Sequence, residues 1–244
     1  MTSVDRIASA TLIDRPVTII TGARKGIGRF LVQHLLEQGH QVVGVSRQSS
    51  SLSHEYYLDW PADITDERAV RALLKEVTGR FGRLDNLVNN AGIAAMNHSM
   101  LMPFSTFESI MRTNVFGTFL MARESAKLMI KRRYGRIVNF STIGVPLKLD
   151  GELAYVASKS AVEALTSVMA REVGEFGITV NAVGPSPIQT DLIAAVPDKK
   201  LTALIARQAI KRLGRFEDVA NVCDFFLRPE SEFVTGQTVY LGGV

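Results

Sequence analysis

Residues 17–28 read VTIITGARKGIG, a β-branched apolar run that leads into a turn with glycine at positions 22, 26 and 28. The run predicts a short buried strand, and apolar residues at helical spacing over Arg29–Gln38 predict the helix that follows. Glycine is needed where a backbone turns sharply and where it must approach a pyrophosphate closely. The helix start adds free N–H groups and a positive dipole end. We interpret this turn as a dinucleotide-binding turn, with an ordinary strand–helix turn as the alternative.

The rest of the chain alternates short apolar runs with longer segments of helical period, which is typical of a parallel sheet covered on both faces. The further predicted strands are Gln41–Ser46, Leu84–Val88, Arg136–Phe140, Ile178–Val183 and Thr238–Leu241. The further predicted helices are Glu67–Phe81, Thr106–Arg133, Tyr155–Phe176 and Glu217–Leu227. We predict an α/β fold, a single doubly wound Rossmann-type parallel sheet with helices on both faces.

The chain of 244 residues shows no repeat and no composition break, so we expect one domain over residues 15–244 that binds the dinucleotide and carries catalysis. Residues 1–14 contain scattered charges and no long apolar run, which excludes a secretory signal and predicts a flexible leader. Residues 185–212 carry three prolines and then the short amphipathic stretch Leu201–Ile210. This region is interpreted as a substrate loop or lid.

Composition excludes several classes of protein. With 28 Lys and Arg against 24 Asp and Glu, the net charge is +4, but the basic residues are dispersed, so we predict no nucleic-acid partner. The single cysteine, Cys223, excludes an internal disulfide, and no Cys-rich metal site is present. No run of apolar residues is long enough to span a bilayer, so we expect no membrane partner and a cytoplasmic protein.

The end of the second predicted strand indicates which dinucleotide binds. An acidic residue there would bind the ribose hydroxyls of NAD, but this chain has Ser46 and Arg47. Arg24 and Lys25 lie in the glycine turn, and three converging cations suit a 2′-phosphate. We therefore predict NADPH as the cofactor, whereas each cation taken alone could be an ordinary surface charge.

Several motifs occur together in one order. They are Thr21–Gly28, Asn89–Gly92, Asn114 and the run Tyr155–Lys159. In this order and spacing the chain resembles the short-chain dehydrogenase/reductase family from about Val17 to Gly243, and is most similar to its 3-oxoacyl-thioester (acyl-carrier-protein) reductases. The resemblance implies carbonyl reduction by hydride transfer from NADPH.

Tyr155 and Lys159 are four residues apart, so they share one helix face. A phenol titrates near pH 10, and a nearby ammonium with the charge of oxidised nicotinamide would lower that pKa. We predict that Tyr155 is the general acid/base and that Lys159 assists it. The family also uses a hydroxyl to bind the substrate oxygen, and ungapped alignment places Thr142 there. Ser141 is the alternative if the strand bulges, because adjacent strand residues face opposite sides.

The resemblance implies the remaining site residues. Asn114 would sit at a helix kink and let a main-chain carbonyl hold a proton-relaying water, with a structurally bonded buried Asn as the alternative. The implied cofactor contacts are Gly22, Arg24, Lys25, Gly26, Ile27, Gly28, Ser46, Arg47, Asp63, Ile64, Asn90, Ala91, Gly92, Tyr155, Lys159, Pro185, Ile188 and Thr190. For Asp63 the alternative is an acidic residue that serves the start of the next helix. Ser186 stands where the family usually has glycine.

We expect a small-molecule carbonyl substrate, with an acyl thioester among the candidates. Arg133 matches a basic position of carrier-protein reductases, but Phe176 stands where a second Arg would be expected. The two long helices, by resemblance, pair across a two-fold axis in a homotetramer or homodimer. The alternative function is a non-catalytic NADP-binding sensor or scaffold of the same fold.

Overall fold

The computed structural model describes residues 15–191, 193 and 196–244, and the predicted leader, residues 1–14, lies outside the described residues. Within that part, seven strands form one sheet in the order β3-β2-β1-β4-β5-β6-β7, and every neighbouring pair is parallel. The strands are β1 (Val17–Thr21), β2 (Gln41–Ser46), β3 (Tyr57–Pro61), β4 (Asn86–Asn89), β5 (Gly135–Phe140), β6 (Ile178–Gly184) and β7 (Thr238–Tyr240). The predicted doubly wound α/β fold is confirmed.

Helices cover both faces of the sheet. They are α1 (Gly26–Glu37), α2 (Glu67–Phe81), α3 (Phe104–Met111), α4 (Thr118–Ile130), α5 (Gly144–Leu147), α6 (Leu153–Val173), α7 (Asp198–Arg207) and α8 (Phe216–Leu227). One face of the sheet packs against α2, α4 and α6, and the other against α1 and α8. Strands buried on both faces explain why β1, β2 and β6 are almost continuously apolar. No helix in the described part is long and apolar enough to cross a membrane.

Three elements differ from the sequence predictions. The segment β3 was not predicted, because this edge strand is only half-buried and carries Asp59 and Pro61. The strand expected at Leu84–Val88 begins two residues later, since Asp85 serves an ion pair just before the amino end of β4. The helix expected at Thr106–Arg133 is divided by a wider π turn over Arg112–Gly117.

Buried polar groups at the amino end of the sheet are held by many protein partners. Asp85, 1% exposed, accepts hydrogen bonds from the Arg83 guanidinium at 2.6 and 2.7 Å and from the Val17 amide at 2.8 Å. Arg136, 2% exposed, donates to the carbonyls of Gly135 and Pro229 at 2.9 and 3.0 Å. These contacts offset the cost of burying charge.

Candidate active site

A cavity of about 170 Å³ opens at the carboxyl end of the sheet, where ligands bind in open α/β sheets. Its lining comes from the ends of β4, β5 and β6, from α6 and from the segment after β6. The predicted site residues that line it are Ile27, Asn90, Gly92, Thr142, Tyr155, Lys159, Pro185, Ile188 and Thr190. The fold therefore brings together residues as far apart in the chain as Ile27 and Thr190.

The glycine turn is packed too tightly for any side chain at two positions. Gly22 has a φ of +69°, and a Cβ there would lie 2.7 Å from Asn90 Nδ2. A Cβ on Gly28 would lie 2.2 Å from the Gly22 carbonyl oxygen. Asn90 also donates from Nδ2 to the Thr21 carbonyl at 3.0 Å, so the ends of β1 and β4 are held against each other. The result is a backbone cradle at the start of α1 that fits a pyrophosphate.

The three predicted phosphate-binding cations differ in their surroundings. Arg24, Lys25 and Arg47 are all exposed at the mouth of this cradle. The Arg24 amide donates to Ser46 Oγ at 3.1 Å, which joins the glycine turn to the end of β2. Lys25 Nζ instead contacts the Asp191 carboxylate at 2.6 Å. The Lys25 ammonium therefore has a carboxylate partner in this structure, and binding of a 2′-phosphate by these three cations stays a prediction.

The predicted adenine contacts, Asp63 and Ile64, have structural partners. Asp63 Oδ1 accepts the Thr65 amide at 2.8 Å in the turn before α2. This contact favours the alternative interpretation, in which the acidic residue serves the start of the next helix. Ile64 is 7% exposed and packs against the π turn, where a Cβ on Gly117 would lie 2.7 Å from Ile64 Cδ1. The Ile64 side chain thus belongs to the core, and its cofactor contact stays a prediction.

Tyr155 and Lys159 lie on the first turns of α6. Lys159 is 3% exposed, its Nζ donates to the Phe140 carbonyl at 2.7 Å, and it lies 5.8 Å from the centre of the Tyr155 ring. Burial lowers the pKa of Lys159 to about 8. Burial raises the pKa of Tyr155, and the charge of Glu152 adds to the rise.

The direction of the Tyr155 shift is opposite to the sequence expectation, because burial and the charge of Glu152 disfavour the phenolate more than Thr142 favours it. A phenol with a raised pKa stays protonated at neutral pH. The chain therefore keeps Tyr155 in the form that can donate a proton.

The hydroxyls of Thr142 and Ser141 have different partners, although both residues line the cavity. The Thr142 hydroxyl faces the Tyr155 phenol and partly offsets the rise in the Tyr155 pKa. Thr142 Oγ1 also accepts the Gly144 amide at 3.1 Å. The Ser141 hydroxyl donates to the Glu163 carboxylate instead. The geometry therefore favours Thr142 as the hydroxyl that accompanies Tyr155.

Asn114 lies in the π turn and is fully buried. Its Oδ1 accepts the Ile93 amide at 2.8 Å, and its Nδ2 donates to the Ile93 carbonyl at 2.9 Å and to Ser158 Oγ at 2.9 Å. These bonds tie the loop after β4 to α6 and explain an Asn inside a helical segment. The expected distortion of the helix is present, and a water relay through this turn stays a prediction.

The segment after β6 closes over the glycine turn. The Ile143 amide donates to the Pro185 carbonyl at 3.2 Å, and a Cβ on Gly26 would lie 3.6 Å from Thr190 Cγ2. Ser186 is 6% exposed and does not adopt a positive φ, so replacing the family's usual glycine introduces no left-handed strain here. The predicted region 185–212 includes α7, and its action as a lid stays a prediction.

Two residues near the reacting groups were not predicted. Ser158 supports Asn114, and Glu152 lines the cavity beside Tyr155. Their only signal in the sequence is their distance from Tyr155: Glu152 lies three residues before it and Ser158 three residues after it. Among the described residues, no cluster of three or more His, Cys, Asp and Glu could hold a metal ion.

A dinucleotide cradle beside a Tyr–Lys pair whose lysine is buried defines the class of nicotinamide-dependent Rossmann-type oxidoreductases. The chain belongs to the short-chain dehydrogenase/reductase family, since residues 22–243 match the family model described as enoyl-(acyl carrier protein) reductase.

Curated and solved relatives agree with this family. The chain is 34% identical to the 3-oxoacyl-(acyl-carrier-protein) reductase FabG of Vibrio cholerae, over 95% of this chain and 97% of that protein. The structure titled ElxO with NADP bound matches with a TM-score of 0.86 and 29% identity, covering 93% of this chain and 97% of that one. Levodione reductase matches with a TM-score of 0.86 and 28% identity, covering 93% and 96% of the two chains.

Proposed function

We propose that this protein is an NADPH-dependent reductase that converts a ketone or 3-oxo group to a hydroxyl. The observation that carries this proposal is the Tyr155 phenol, which shares a cavity with the Thr142 hydroxyl and buried Lys159 beside the dinucleotide cradle. Bound NADPH would supply the hydride. The residues of the chain would bind the cofactor and the substrate, donate the proton and set the pKa of the proton donor.

The cofactor would be held by backbone and cations. The Gly22–Gly28 turn and the start of α1 present N–H groups to the pyrophosphate, and Arg24 and Arg47 would bind the 2′-phosphate. Arg47→Asp should therefore weaken NADPH binding at least about tenfold and change NADH binding far less. Fluorescence titration with both dinucleotides measures this, and equal losses would contradict the 2′-phosphate assignment.

The proton step follows from the geometry. The Thr142 hydroxyl and the Tyr155 phenol would both bond to the carbonyl oxygen of the substrate, which fixes its orientation. Tyr155 then donates its proton to that oxygen as the carbonyl carbon is reduced. Lys159 would bind the nicotinamide ribose hydroxyls, as the family resemblance implies, and its ammonium would favour the resulting phenolate. The reverse sequence oxidises an alcohol.

An acyl thioester remains one of several candidate substrates. The FabG relative is named for a substrate on a carrier protein, which would favour basic residues around the mouth of the site. Here Arg133 donates to the Glu175 carbonyl at 2.5 Å, and Phe176 packs against the core. Both of the expected carrier-binding positions therefore have structural roles in this chain.

The test is NADPH oxidation, followed by absorbance, against 3-oxoacyl thioesters, diketones and simple ketones. Turnover that disappears in Tyr155→Phe supports the proposal. Tight NADPH binding with no turnover of any ketone would favour the alternative of a non-catalytic NADP-binding sensor or scaffold.

An exposed apolar surface supports the predicted homodimer or homotetramer. Exposed apolar residues lie on the π turn, α4 and α6, namely Phe116, Phe119, Leu153 and Val168. A homodimer or homotetramer through this face stays a prediction, and light scattering coupled to size exclusion tests it.

A further inference from the structure

Glu152 is the one acidic side chain among the described residues that line the active-site cavity. It stands at the N-cap position of α6 but makes no side-chain capping bond to the helix. Within the described part of the chain, its half-buried carboxyl group has no hydrogen-bond partner. A carboxyl group that does not cap its own helix, and that faces a cavity, is available to a ligand.

The position of this carboxyl group is close to the reacting groups. Glu152 Oε2 and Thr142 Cγ2 each lie 3.3 Å from the point that a Cβ on Gly144 would occupy, so they are at most twice that distance apart. The hydroxyl of Thr142 in turn faces the Tyr155 phenol, and the charge of Glu152 contributes to the raised pKa of that phenol. A polar group attached close to a carbonyl held by Tyr155 and Thr142 would therefore be within reach of Glu152.

The surroundings of Glu152 are otherwise poor in polar partners. Apolar residues form much of the cavity wall, namely Ile143, Leu149, Ile188, Leu201 and Leu204. Burial raises the pKa of Glu152, which reflects the cost of placing a carboxylate there. A hydroxyl group on the substrate would satisfy this carboxyl group, whereas a purely apolar substrate would leave it buried and unpaired.

We propose that Glu152 is a specificity-determining residue that selects ketones with a hydroxyl group on the carbon next to the carbonyl, by accepting a hydrogen bond from that hydroxyl. The proposal rests on the proposed reductase function and narrows its substrate class. A site built to bond a substrate hydroxyl discriminates strongly against analogues that lack the donor.

Lys200 on α7 offers the competing explanation. Its charge partly offsets the rise in the Glu152 pKa, and its Nζ lies 3.4 Å from Met96 Sδ. If Glu152 served only to hold α7 through Lys200, substituting either residue would have the same effect. Lys200→Met is therefore the matched control for variants of Glu152.

The experiment compares acetoin, which carries the adjacent hydroxyl, with its methyl ether and with butanone, which both lack a donor. We expect wild-type kcat/KM for acetoin to exceed that for each of the other two at least about tenfold. Glu152→Leu should reduce this preference to near one. Glu152→Gln, which keeps an acceptor oxygen, should retain most of it, and so should Lys200→Met.

A wild-type preference near one, or a preference that survives in Glu152→Leu, overturns the proposal. A loss in Lys200→Met equal to that in Glu152→Leu overturns it as well, because Glu152 would then act through α7.

Binding separates this proposal from the proposed function. The dissociation constants of acetoin and its methyl ether are measured on the Tyr155→Phe protein with NADPH bound, by quenching of NADPH fluorescence, with and without Glu152→Leu. A preference for acetoin that depends on Glu152 supports the selection even if no ketone is reduced. Equal constants overturn the selection while leaving the reductase function to the turnover assay.

Discussion

The two ends of the sheet treat buried polar groups differently. At the amino end, Asp85 and Arg136 are each held by several donors or acceptors of the protein itself. At the carboxyl end, Lys159 is equally buried but, within the described residues, its ammonium has only the Phe140 carbonyl as a hydrogen-bond partner. Glu152 has none there. Groups saturated by the protein serve stability, and groups left with spare bonding capacity are available to ligands.

The largest expected effect is on catalysis at the carboxyl end. Tyr155→Phe removes the proton donor and should lower kcat about a thousandfold, because general acid catalysis contributes on that order. NADPH affinity and the free energy of unfolding should change little, since the ring remains. Steady-state kinetics, dinucleotide titration and urea unfolding measure the three quantities. A variant that retains wild-type kcat would remove Tyr155 from the mechanism.

The reverse pattern is expected at the amino end. Asp85→Asn breaks the buried ion pair between Asp85 and Arg83 and should lower the free energy of unfolding by about 3 kcal/mol. The kcat of the folded protein should stay near the wild-type value. The matched control is Glu67→Gln, which breaks exposed ion pairs with Arg71 and Arg123 and should have little effect. If both substitutions lowered the free energy of unfolding equally, the buried ion pair of Asp85 would contribute no more to stability than an exposed pair.

Burial of Lys159 makes the stability of the carboxyl end of the sheet depend on pH. Its folded-state pKa of about 8 lies below the usual 10.5, so the unfolded chain binds more protons between those values. The penalty for burying the ammonium is complete below about pH 8 and disappears as the pH rises to about 10.5. Relative to Lys159→Met, the wild-type protein without cofactor should therefore gain up to about 3 kcal/mol of stability across this range.

Urea unfolding of both proteins at a series of pH values measures the difference between them. Taking that difference removes the contributions of other groups that titrate at high pH, including Tyr155 and Cys223. A difference that does not change with pH would mean that Lys159 is charged at no cost in the folded state.

The smallest effect concerns the two adjacent hydroxyls at the end of β5. Thr142→Ala should slow turnover about tenfold, because the hydroxyl beside Tyr155 is lost. Ser141→Ala should slow it less, because Ser141 bonds to Glu163 away from Tyr155. Kinetics with one ketone on both variants test the ranking. The opposite order would place Ser141 in the reacting site.

The sequence was sufficient for the fold because local pattern and global topology agree. The glycine turn, the continuous apolar strands and the Tyr155–Lys159 spacing each depend on near neighbours, and they predicted the sheet and its functional end. Edge strand β3 escaped prediction, since half-burial gives it no clear periodicity. The partners of Asp63 and the surroundings of Glu152 depend on residues distant in the chain, which no spacing rule reveals.

The π turn at Arg112–Gly117 has a consequence for how one continuous helical rod is used. Each residue of an α-helix advances the side-chain direction by about 100°, so a single wide turn rotates the phase of everything after it. Before the turn, α3 packs mainly against α6, and after it α4 has its most extensive helix contact with α2. The same rod thus faces two different neighbours without a break in the chain. If the same residues were wound as one regular helix, the apolar stripe of α4 would rotate by about 100° away from the sheet.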